Sequence, residues 1–516
     1  MTEPDATPPE RPADPAGATV EQLAALLREQ GDDVTLAGDG ATRVTGVTLS
    51  SQRVRPGDLY AALPGARAHG IAYADDALSS GAVAVLTDPD GASRLGPDVP
   101  ALVVPHPRAV LGGLAARVYA EPAARLRMIG VTGTQGKTTT TRLAEGALEA
   151  AGVPAAVVGT VGTRIRGREV RTQLTTPEAP DLHGLFARMV EEGVRACAME
   201  VSSHALVMGR VDGVVFDVAV FTNLGRDHLD FHADEEDYFQ AKASLFTPRR
   251  ARLGLVNADD EHGRRLMGEA TIPLRTFSAT GTDADWRVED VTLTAAGSTF
   301  TVVTPEGRRL PSGVPLAGDF NVANALAAIA ACGEAGLDAE AVAAAMAAGG
   351  GVPGRLERVD AGQDFEVVVD YAHKPDAVRA ALSTLRPLTE GALIVVIGAG
   401  GERDPGKRPL MGQIAAELAD VVVVTDDNPR SEEPAAIRRE LLAGAEGGAA
   451  EVLEVGGRRE AIRAALARAR AGDIVLVAGK GHETGQEVDG VVHPFDDRVV
   501  VAEELTALEG RGGGTS

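Results

Sequence analysis

The run GVTGTQGKTTTT at 130–141 carries the most specific chemistry in the chain. It follows the apolar pair Met128–Ile129 and leads into a helical pattern over 142–151. A strand that passes through a glycine-rich turn into a helix opening with Lys-Thr is a phosphate cradle. Its backbone N–H groups can approach phosphate oxygens, and the helix N-terminus adds partial positive charge. On this reading Gly133, Thr134, Gln135, Gly136, Lys137, Thr138 and Thr139 hold a nucleoside triphosphate. Lys137 reaches the outer phosphates, and the hydroxyl of Thr138 or Thr139 can ligate Mg2+. The spacing is not the common P-loop one, because Val131 stands where the first glycine would fall. The plain alternative is a glycine-rich turn with no ligand.

Lysine usage narrows the search for chemistry. The chain has five lysines, Lys137, Lys242, Lys374, Lys407 and Lys480, and otherwise takes its positive charge from arginine. In that background a retained lysine is a candidate for work arginine cannot do, such as a compact phosphate contact or an amine that loses its proton. Two further loops carry acids and histidines: MEVSSHAL at 199–206 and TNLGRDHLDFH at 222–232. Glu200, at the end of an apolar run, needs a cation or hydrogen-bond donors if buried. Glu200 and His228 could reach a metal beside the cradle, although Mg2+ prefers oxygen. His204, His228 and His232 could suggest zinc, but no closed Cys/His set accompanies them. Lys242, in a helical stretch, is either a solvated helix lysine or a neutral amine that captures CO2. The resulting carbamate is an anion able to help hold Mg2+, and it requires a depressed amine pKa.

These loops need elements to hold them. Between residues 19 and 125 short strands (44–49, 82–86, 101–104) mix with helices, up to a proline-containing linker at 121–125. From 126 to 354 strands at 127–131, 195–201, 217–221 and 253–256 alternate with helices, the pattern of a parallel α/β sheet. A strand-rich insert at 285–303 and helices at 322–335 and 339–347 follow, then a glycine-rich hinge at 349–355. The section 355–508 repeats the alternation, with strands 366–370, 393–397, 421–425 and 474–478. Each of these runs into a polar loop: DYAHKPD, GAGGERDPGKR, TDDNPR and GKGHE. Function in open parallel sheets gathers beyond the carboxyl ends of the strands. Three domains are therefore expected: α/β over 19–125, a P-loop-like parallel sheet over 126–354 and a Rossmann-like domain over 355–508. Tails of 1–18 (disordered, proline-rich) and 509–516 (flexible) flank them.

Composition excludes several classes. A formal charge of −24 argues against nucleic acid or an anionic membrane as partner. No stretch approaches the roughly 20 apolar residues of a membrane span. The start is acidic and proline-rich and does not read as a signal peptide. Cys197 and Cys332 lie in apolar contexts and read as buried thiols, which fits a cytoplasmic location.

In order along the chain, TGTQGKTT (132–139), TTP (175–177), EVSSHAL (200–206), TNLGRDHLDFH (222–232) and the lysine of QAKASLF (240–246) form one half of a pattern. GDFNVANALAA (318–328), PGRLERV (353–359), DYAHKPDA (370–377), GGERDPGKRP (400–409), DNPR (427–430) and GKGHE (479–483) form the other. The set resembles the Mur ligase family, and within it the MurE-type UDP-N-acetylmuramoyl-tripeptide synthetases, from about residue 44 to residue 500.

The resemblance implies an ADP-forming ligase. ATP would phosphorylate the D-glutamyl γ-carboxylate of UDP-MurNAc-L-Ala-D-Glu, and the amine of diaminopimelate would attack the acyl phosphate. It implies Lys137, Glu200, His228 and Lys242, the last as the carbamate (N6-carboxylysine), as catalytic groups, and Thr138 with Glu200, His228 and Lys242 around Mg2+. Asn321, Asn324, Arg355 and Asp370 would join the cradle in binding ATP. Leu49, Ser51, Ala66, Arg67, Ala68, Thr175, Thr176, Ser202 and Arg210 would hold the UDP-substrate. Arg403, Asp427, Asn428, Pro429, Arg430, Gly479 and Glu483 would hold the incoming amino acid. DNPR favours diaminopimelate over lysine, since Arg430 can pair with the second carboxylate, and leaves meso and LL forms undistinguished. A monomer acting on small molecules is expected.

Three departures stand out: LSSQR at 49–53 where relatives often have LDSR, Met208 where a Gln is often found, and Lys374 where a Thr is. The rival readings are the D-Ala-D-Ala-adding ligase, folylpolyglutamate synthetase, a non-catalytic nucleotide-binding regulator and a P-loop GTPase. DNPR followed by GKGHE, and the run VTGVTLSSQRVRPGDLYAAL at 44–63, disfavour the first two. Joint retention of Lys137, Glu200, His228 and Lys242 disfavours the regulator, and no NKxD-like motif supports the GTPase.

Overall fold

Short runs of Val, Ile, Ala and Leu bounded by glycine or polar residues form buried strands, as their composition demands. The computed structural model describes residues 10–65, 68–172, 174–225, 227–228, 231–349 and 351–512. The chain divides into two units, residues 1–287 with 326–342, and residues 288–325 with 343–516. Residues 288–325 and 343–354, read from sequence as part of one central domain, group with the second unit.

The first unit holds two main sheets beside the short antiparallel pair Ala18–Thr19 with Arg43–Val44. The smaller runs Thr35–Ala37, Ala101–Val103, Ala84–Thr87, Asp58–Ala61, Gly46–Thr48, parallel except for its first pair. In the larger, Ala155–Val158, Ala196–Glu200, Arg127–Thr132, Phe216–Phe221, Ala251–Asn257 and Leu274–Ser278 lie side by side in parallel. A hairpin, Thr163–Ile165 with Arg168–Val170, extends it antiparallel beyond Ala155–Val158. The helix Ala179–Glu191 places Leu182, Leu185, Phe186 and Met189 on one face, and all four enter the core against Phe216 and Phe221.

Within the expected tail 1–18, the chain is anchored from Glu10 on. Arg11 is buried, donates to Asp58 Oδ1 at 2.6 Å and to the Val47 carbonyl at 2.9 Å, and Ala13 N–H donates to Glu191 Oε1 at 3.0 Å. An acidic, proline-rich composition hides this, because the anchors are a few polar contacts to residues far along the chain.

The second unit holds a six-stranded sheet: Glu357–Arg358, Glu366–Asp370, Ile474–Ala478, Leu393–Ile397, Val421–Val424, Glu451–Glu454, parallel except for the first pair. The strand-rich insert expected at 285–303 forms the strands Trp286–Thr294 and Gly297–Val303, and the second pairs antiparallel with Arg309–Val314. The sequence reading missed a second hairpin, Gly485–Val488 with Val491–Pro494. The last helix runs Asp497–Gly512 and so continues past residue 508, where a flexible tail was expected. Of the glycine-rich hinge, Gly350 lies outside the described residues. Among the described residues no helix is long and apolar enough to cross a membrane.

Candidate active site

The strand Arg127–Thr132 lies between Ala196–Glu200 and Phe216–Phe221, all parallel, so the loops that follow the three strands open at one edge. The loop after the first is the glycine-rich turn. Gly133 has φ +147°, and a Cβ there would run into the Thr222 hydroxyl, so only glycine fits. Gly136, left-handed at φ 86°, makes Lys137 the first residue of the helix Lys137–Ala150, which starts earlier than the periodicity at 142–151 indicated.

The neighbouring strand's loop staples the turn. Thr222 Oγ1 donates to the Gln135 carbonyl at 2.6 Å, Asn223 Oδ1 accepts from Gln135 N–H at 2.9 Å, and Thr134 N–H donates to the Asn223 carbonyl at 2.9 Å. Sequence reasoning assigned Thr222 and Asn223 no role. The signal was their place at the end of an adjacent strand.

Two lysine side chains converge on this turn. Lys137 Nζ donates to the carbonyls of Gly133 at 2.8 Å and Thr134 at 3.0 Å. Lys242, from the helix Glu235–Ala243, donates to the same Gly133 carbonyl at 2.9 Å and is only 1 % exposed. It also lies 4.4 Å from the centroid of the Tyr238 ring. Burial pushes the Lys242 amine well below the ordinary lysine pKa, and the nearby Lys137 charge pushes it further, opposed by Asp227. Tyr238 ties the group together, its hydroxyl 3.2 Å from Thr134 Oγ1 and its ring 6.0 Å from that of His228. His228 itself sits at φ +55°, a conformation rare for a residue with a Cβ, and its ring packs 4.9 Å from His204. His232 is instead engaged at both ring nitrogens, 3.0 Å from Ser203 Oγ and 3.0 Å from Asp237 Oδ2.

Glu200 ends the strand beside the turn, its backbone paired with Val131. Its carboxylate is buried and accepts from Thr160 N–H at 2.7 Å and Thr160 Oγ1 at 3.1 Å, the donors its burial requires. Thr160 Oγ1 lies 3.1 Å from Thr175 Oγ1, and Thr176 Oγ1 donates to the Glu200 carbonyl at 2.8 Å. Ser202 N–H donates to Thr176 Oγ1 at 3.3 Å, and Arg210 pairs with Glu178 at 2.9 Å. Arg210 also lies 3.4 Å from Met208 Sδ, a weak contact at one of the departures from the family pattern. Thr175, Thr176, Ser202 and Arg210 thus gather around Glu200.

Among the described residues no set of three His, Cys, Asp or Glu is spaced to cage a metal. The Glu200 carboxylate and the Thr138 hydroxyl are hard oxygen donors on one edge. Such a partial set fits Mg2+, which is usually held by one or two carboxylates together with substrate phosphates. Leu49 and Ser51 follow the strand Gly46–Thr48, and Arg53 of the same turn pairs with Asp181 at 3.3 Å. Ala68 lies nearby along the chain, while Ala66 and Arg67 lie outside the described residues.

The second unit holds the other candidates, and apart from Asn321 and Asn324 most of them fall in two groups. Asp370 ends the strand Glu366–Asp370, and its Oδ2 accepts from Leu356 N–H at 2.8 Å. Burial raises its pKa, and the Arg355 charge opposes that rise. Arg355 lies 5.2 Å from the Tyr371 ring, which packs on His373 at 4.4 Å and His482 at 4.9 Å. Burial lowers the His373 pKa to about 4, so the ring is neutral near pH 7. Asn321 Nδ2 donates to the Ala317 carbonyl at 2.8 Å, and Asn324 Nδ2 to Asn321 Oδ1 at 3.2 Å.

The other group is built on the DNPR loop. Asn428 Nδ2 donates to Glu483 Oε2 at 2.8 Å, and fully buried Lys480 donates to Asn428 Oδ1 at 3.0 Å and to Glu483 Oε2 at 3.2 Å. Asp427 stands against Gly479, whose φ of +119° and close approach exclude a side chain. Arg430 Nη1 donates to the Gly401 carbonyl at 2.6 Å, and Gly401 N–H to the Asn428 carbonyl at 2.9 Å, so Pro429 is enclosed by the two loops. Arg403 is exposed two residues further on and joins no hydrogen bond or ion pair among the described residues. Lys480 and Glu487 were not assigned from sequence. The scarcity of lysine pointed at the first, and nothing local pointed at the second.

Three family models match the chain: "Mur ligase family, catalytic domain" at residues 43–119, "Mur ligase middle domain" at 131–332 and "Mur ligase, glutamate ligase domain" at 354–481. A UDP-N-acetylmuramoyl-L-alanyl-D-glutamate–2,6-diaminopimelate ligase of Streptomyces coelicolor is 55 % identical over 507 residues, covering 97 % of this chain and 99 % of that protein. A UDP-N-acetylmuramyl-tripeptide synthetase of Leifsonia xyli is 46 % identical over 496 residues, covering 95 % and 96 %. A solved structure of a UDP-N-acetylmuramoyl-L-alanyl-D-glutamate–2,6-diaminopimelate ligase superposes with a TM-score of 0.71 at 34 % identity, over 96 % of this chain and 99 % of that one. With the strand–turn–helix cradle, the DNPR loop and relatives of this identity along nearly its whole length, the chain belongs to the Mur ligase family.

Proposed function

We propose that this enzyme is an ADP-forming ligase that joins diaminopimelate to the D-glutamyl residue of UDP-MurNAc-L-Ala-D-Glu, a step of peptidoglycan precursor synthesis. The observation that carries the reading is the glycine turn at the head of a helix, with Lys137 Nζ held against it. Such a concentration of positive charge suits the phosphates of ATP. In the first step the γ-carboxylate attacks the terminal phosphorus and ADP leaves. In the second, the amine attacks the acyl carbon, phosphate departs and the amine loses a proton. Lys137 offsets charge on the transferred group, the N–H groups at the helix head orient it, and the stapling by Thr222 and Asn223, which takes up the Thr134 and Gln135 N–H groups, holds the turn in place.

Thr138, Glu200, His228 and carbamylated Lys242 are the residues that would hold Mg2+, which when bound neutralises phosphate charge. The depressed amine of Lys242 supports its carbamylation: nitrogen attacks CO2, one N–C bond forms and one proton leaves. Leu49, Ser51, Ala66, Arg67, Ala68, Thr175, Thr176, Ser202 and Arg210 would bind the UDP-substrate, and Asn321, Asn324, Arg355 and Asp370 would complete the ATP site. Arg403, Asp427, Asn428, Pro429, Arg430, Gly479 and Glu483 would bind the amino acid. The same reading makes the protein a cytoplasmic monomer of three domains.

The test is phosphate release by purified protein with each substrate omitted in turn. Release is expected only when ATP, UDP-MurNAc-L-Ala-D-Glu and diaminopimelate are all present. Release that does not depend on diaminopimelate would defeat the assignment.

A further inference from the structure

Arg430 is held by the hairpin that sequence reasoning missed. Its backbone, at φ +55°, donates to the Glu487 carbonyl at 3.0 Å and accepts from Asp489 N–H at 2.8 Å. A left-handed arginine is sparsely populated, so neighbouring structure must impose it. Its side chain is fixed as well. Nε lies 3.2 Å from Glu487 Oε2, and Nη1 donates to the Gly401 carbonyl at 2.6 Å. With Nε and one Nη1 hydrogen engaged, the end of the guanidinium formed by Nη1 and Nη2 is the edge presented for a two-pronged carboxylate contact. Glu487 is joined to the rest of the pocket through its N–H, which donates to Asn428 Oδ1 at 3.0 Å. The pair is reachable: the side chains of Arg430 and Glu487 are 21 % and 35 % exposed.

We propose that Glu487 is a specificity-determining residue, and that Glu487 and Arg430 together read the distal end of diaminopimelate as a zwitterion. This rests on the reading that the DNPR loop binds that amino acid. The distal carbon of diaminopimelate carries one ammonium and one carboxylate. Arg430 takes the carboxylate on its free-facing edge, and Glu487, beside it, takes the ammonium. Charge closes at zero: a neutral ion pair meets a neutral zwitterion. Lysine supplies the ammonium alone, leaving a net positive charge and an unanswered guanidinium edge. An aminopimelate, with the distal carboxylate but no distal ammonium, leaves Glu487 without its new partner. Of the pocket's other carboxylates, Glu483 already accepts from Lys480 and Asn428 and Asp427 is only 6 % exposed, which leaves Glu487 as the better placed acceptor.

The experiment compares kcat/KM for diaminopimelate, L-2-aminopimelate and L-lysine in the wild type, Glu487→Gln and Arg430→Ala, with KM for ATP as the control for folding. Wild type is expected to prefer diaminopimelate to 2-aminopimelate by about tenfold or more, the usual scale for one unanswered charged hydrogen bond. Glu487→Gln should shrink that preference to about twofold, mainly through KM for the amino acid, with KM for ATP unmoved. Wild type that uses 2-aminopimelate as well as diaminopimelate overturns the proposal without any variant. Glu487→Gln that keeps the full preference overturns it too. If wild type instead uses lysine as readily as diaminopimelate, the functional reading itself fails. If wild type rejects lysine, Arg430→Ala accepts it and Glu487→Gln discriminates as wild type does, only the role of Glu487 fails.

Discussion

The cradle and the DNPR pocket handle charge in opposite ways. At the cradle the Lys137 ammonium stands at a helix head, and burial first, then that charge, lowers the Lys242 amine beside it. In the DNPR pocket two cations face carboxylates, Lys480 with Glu483 at 3.2 Å and Arg430 with Glu487 at 3.2 Å, and Arg458 pairs with Asp497 at 2.6 Å. A helix head that carries a cation is built to receive an anion, and the phosphates supply it. A region whose charges are already balanced gains little from a net ion and selects by where each charge lies. One part of the enzyme is tuned for charge transfer, the other for the shape of charge on its substrate.

The comparison breaks most easily at the cradle. We predict that Lys137→Ala loses ligation by about three powers of ten, roughly 4 kcal/mol of transition-state stabilisation, with the fold retained. Phosphate release at the wild-type rate would remove the nucleotide from this site.

Lys242→Ala should lose about a hundredfold, the lower end of what removing one charge-stabilising group does, and short carboxylates should restore part of it by standing in for the carbamate. The lowered amine gives the pH sign. Raising pH frees more amine, so at limiting CO2 activity should rise with pH, and added bicarbonate should flatten the profile. A full-activity Lys242→Ala enzyme that ignores acetate would contradict the assignment.

Much of this was legible in the sequence. The parallel strands at 127–132, 366–370, 393–397 and 474–478 were evident because buried parallel strands read as unbroken apolar runs. Lys137 was evident because the turn chemistry is local. Thr160 and Tyr238 were not, because their roles arise from contacts 40 and 104 residues away in sequence. The hairpin at 485–494 escaped because its exposed, mixed residues lack an apolar run, and the position of Glu487 beside Arg430 with it. The helix start at Lys137 was placed late because four threonines mask the helical period.

At the pocket, Arg430→Ala should reduce the preference for diaminopimelate over lysine by about thirtyfold, near 2 kcal/mol, with ATP use unaffected. An unchanged preference would move specificity to another residue. The smallest effect separates the two regions by screening. Raising salt from about 0.05 to 0.5 M should raise KM for ATP several-fold, yet shift KM for diaminopimelate by less than about twofold, since a neutral zwitterion meets a balanced pair. Equal salt sensitivity of the two would erase the distinction.

The most direct test of the whole account is a competition. Purified enzyme, ATP and UDP-MurNAc-L-Ala-D-Glu are mixed with equal concentrations of diaminopimelate and L-lysine, and the products are weighed by mass spectrometry. The account predicts the diaminopimelate tripeptide in at least about a hundredfold excess, with one ADP formed per product. Comparable amounts of the lysine tripeptide, or ADP formed without either, would contradict it.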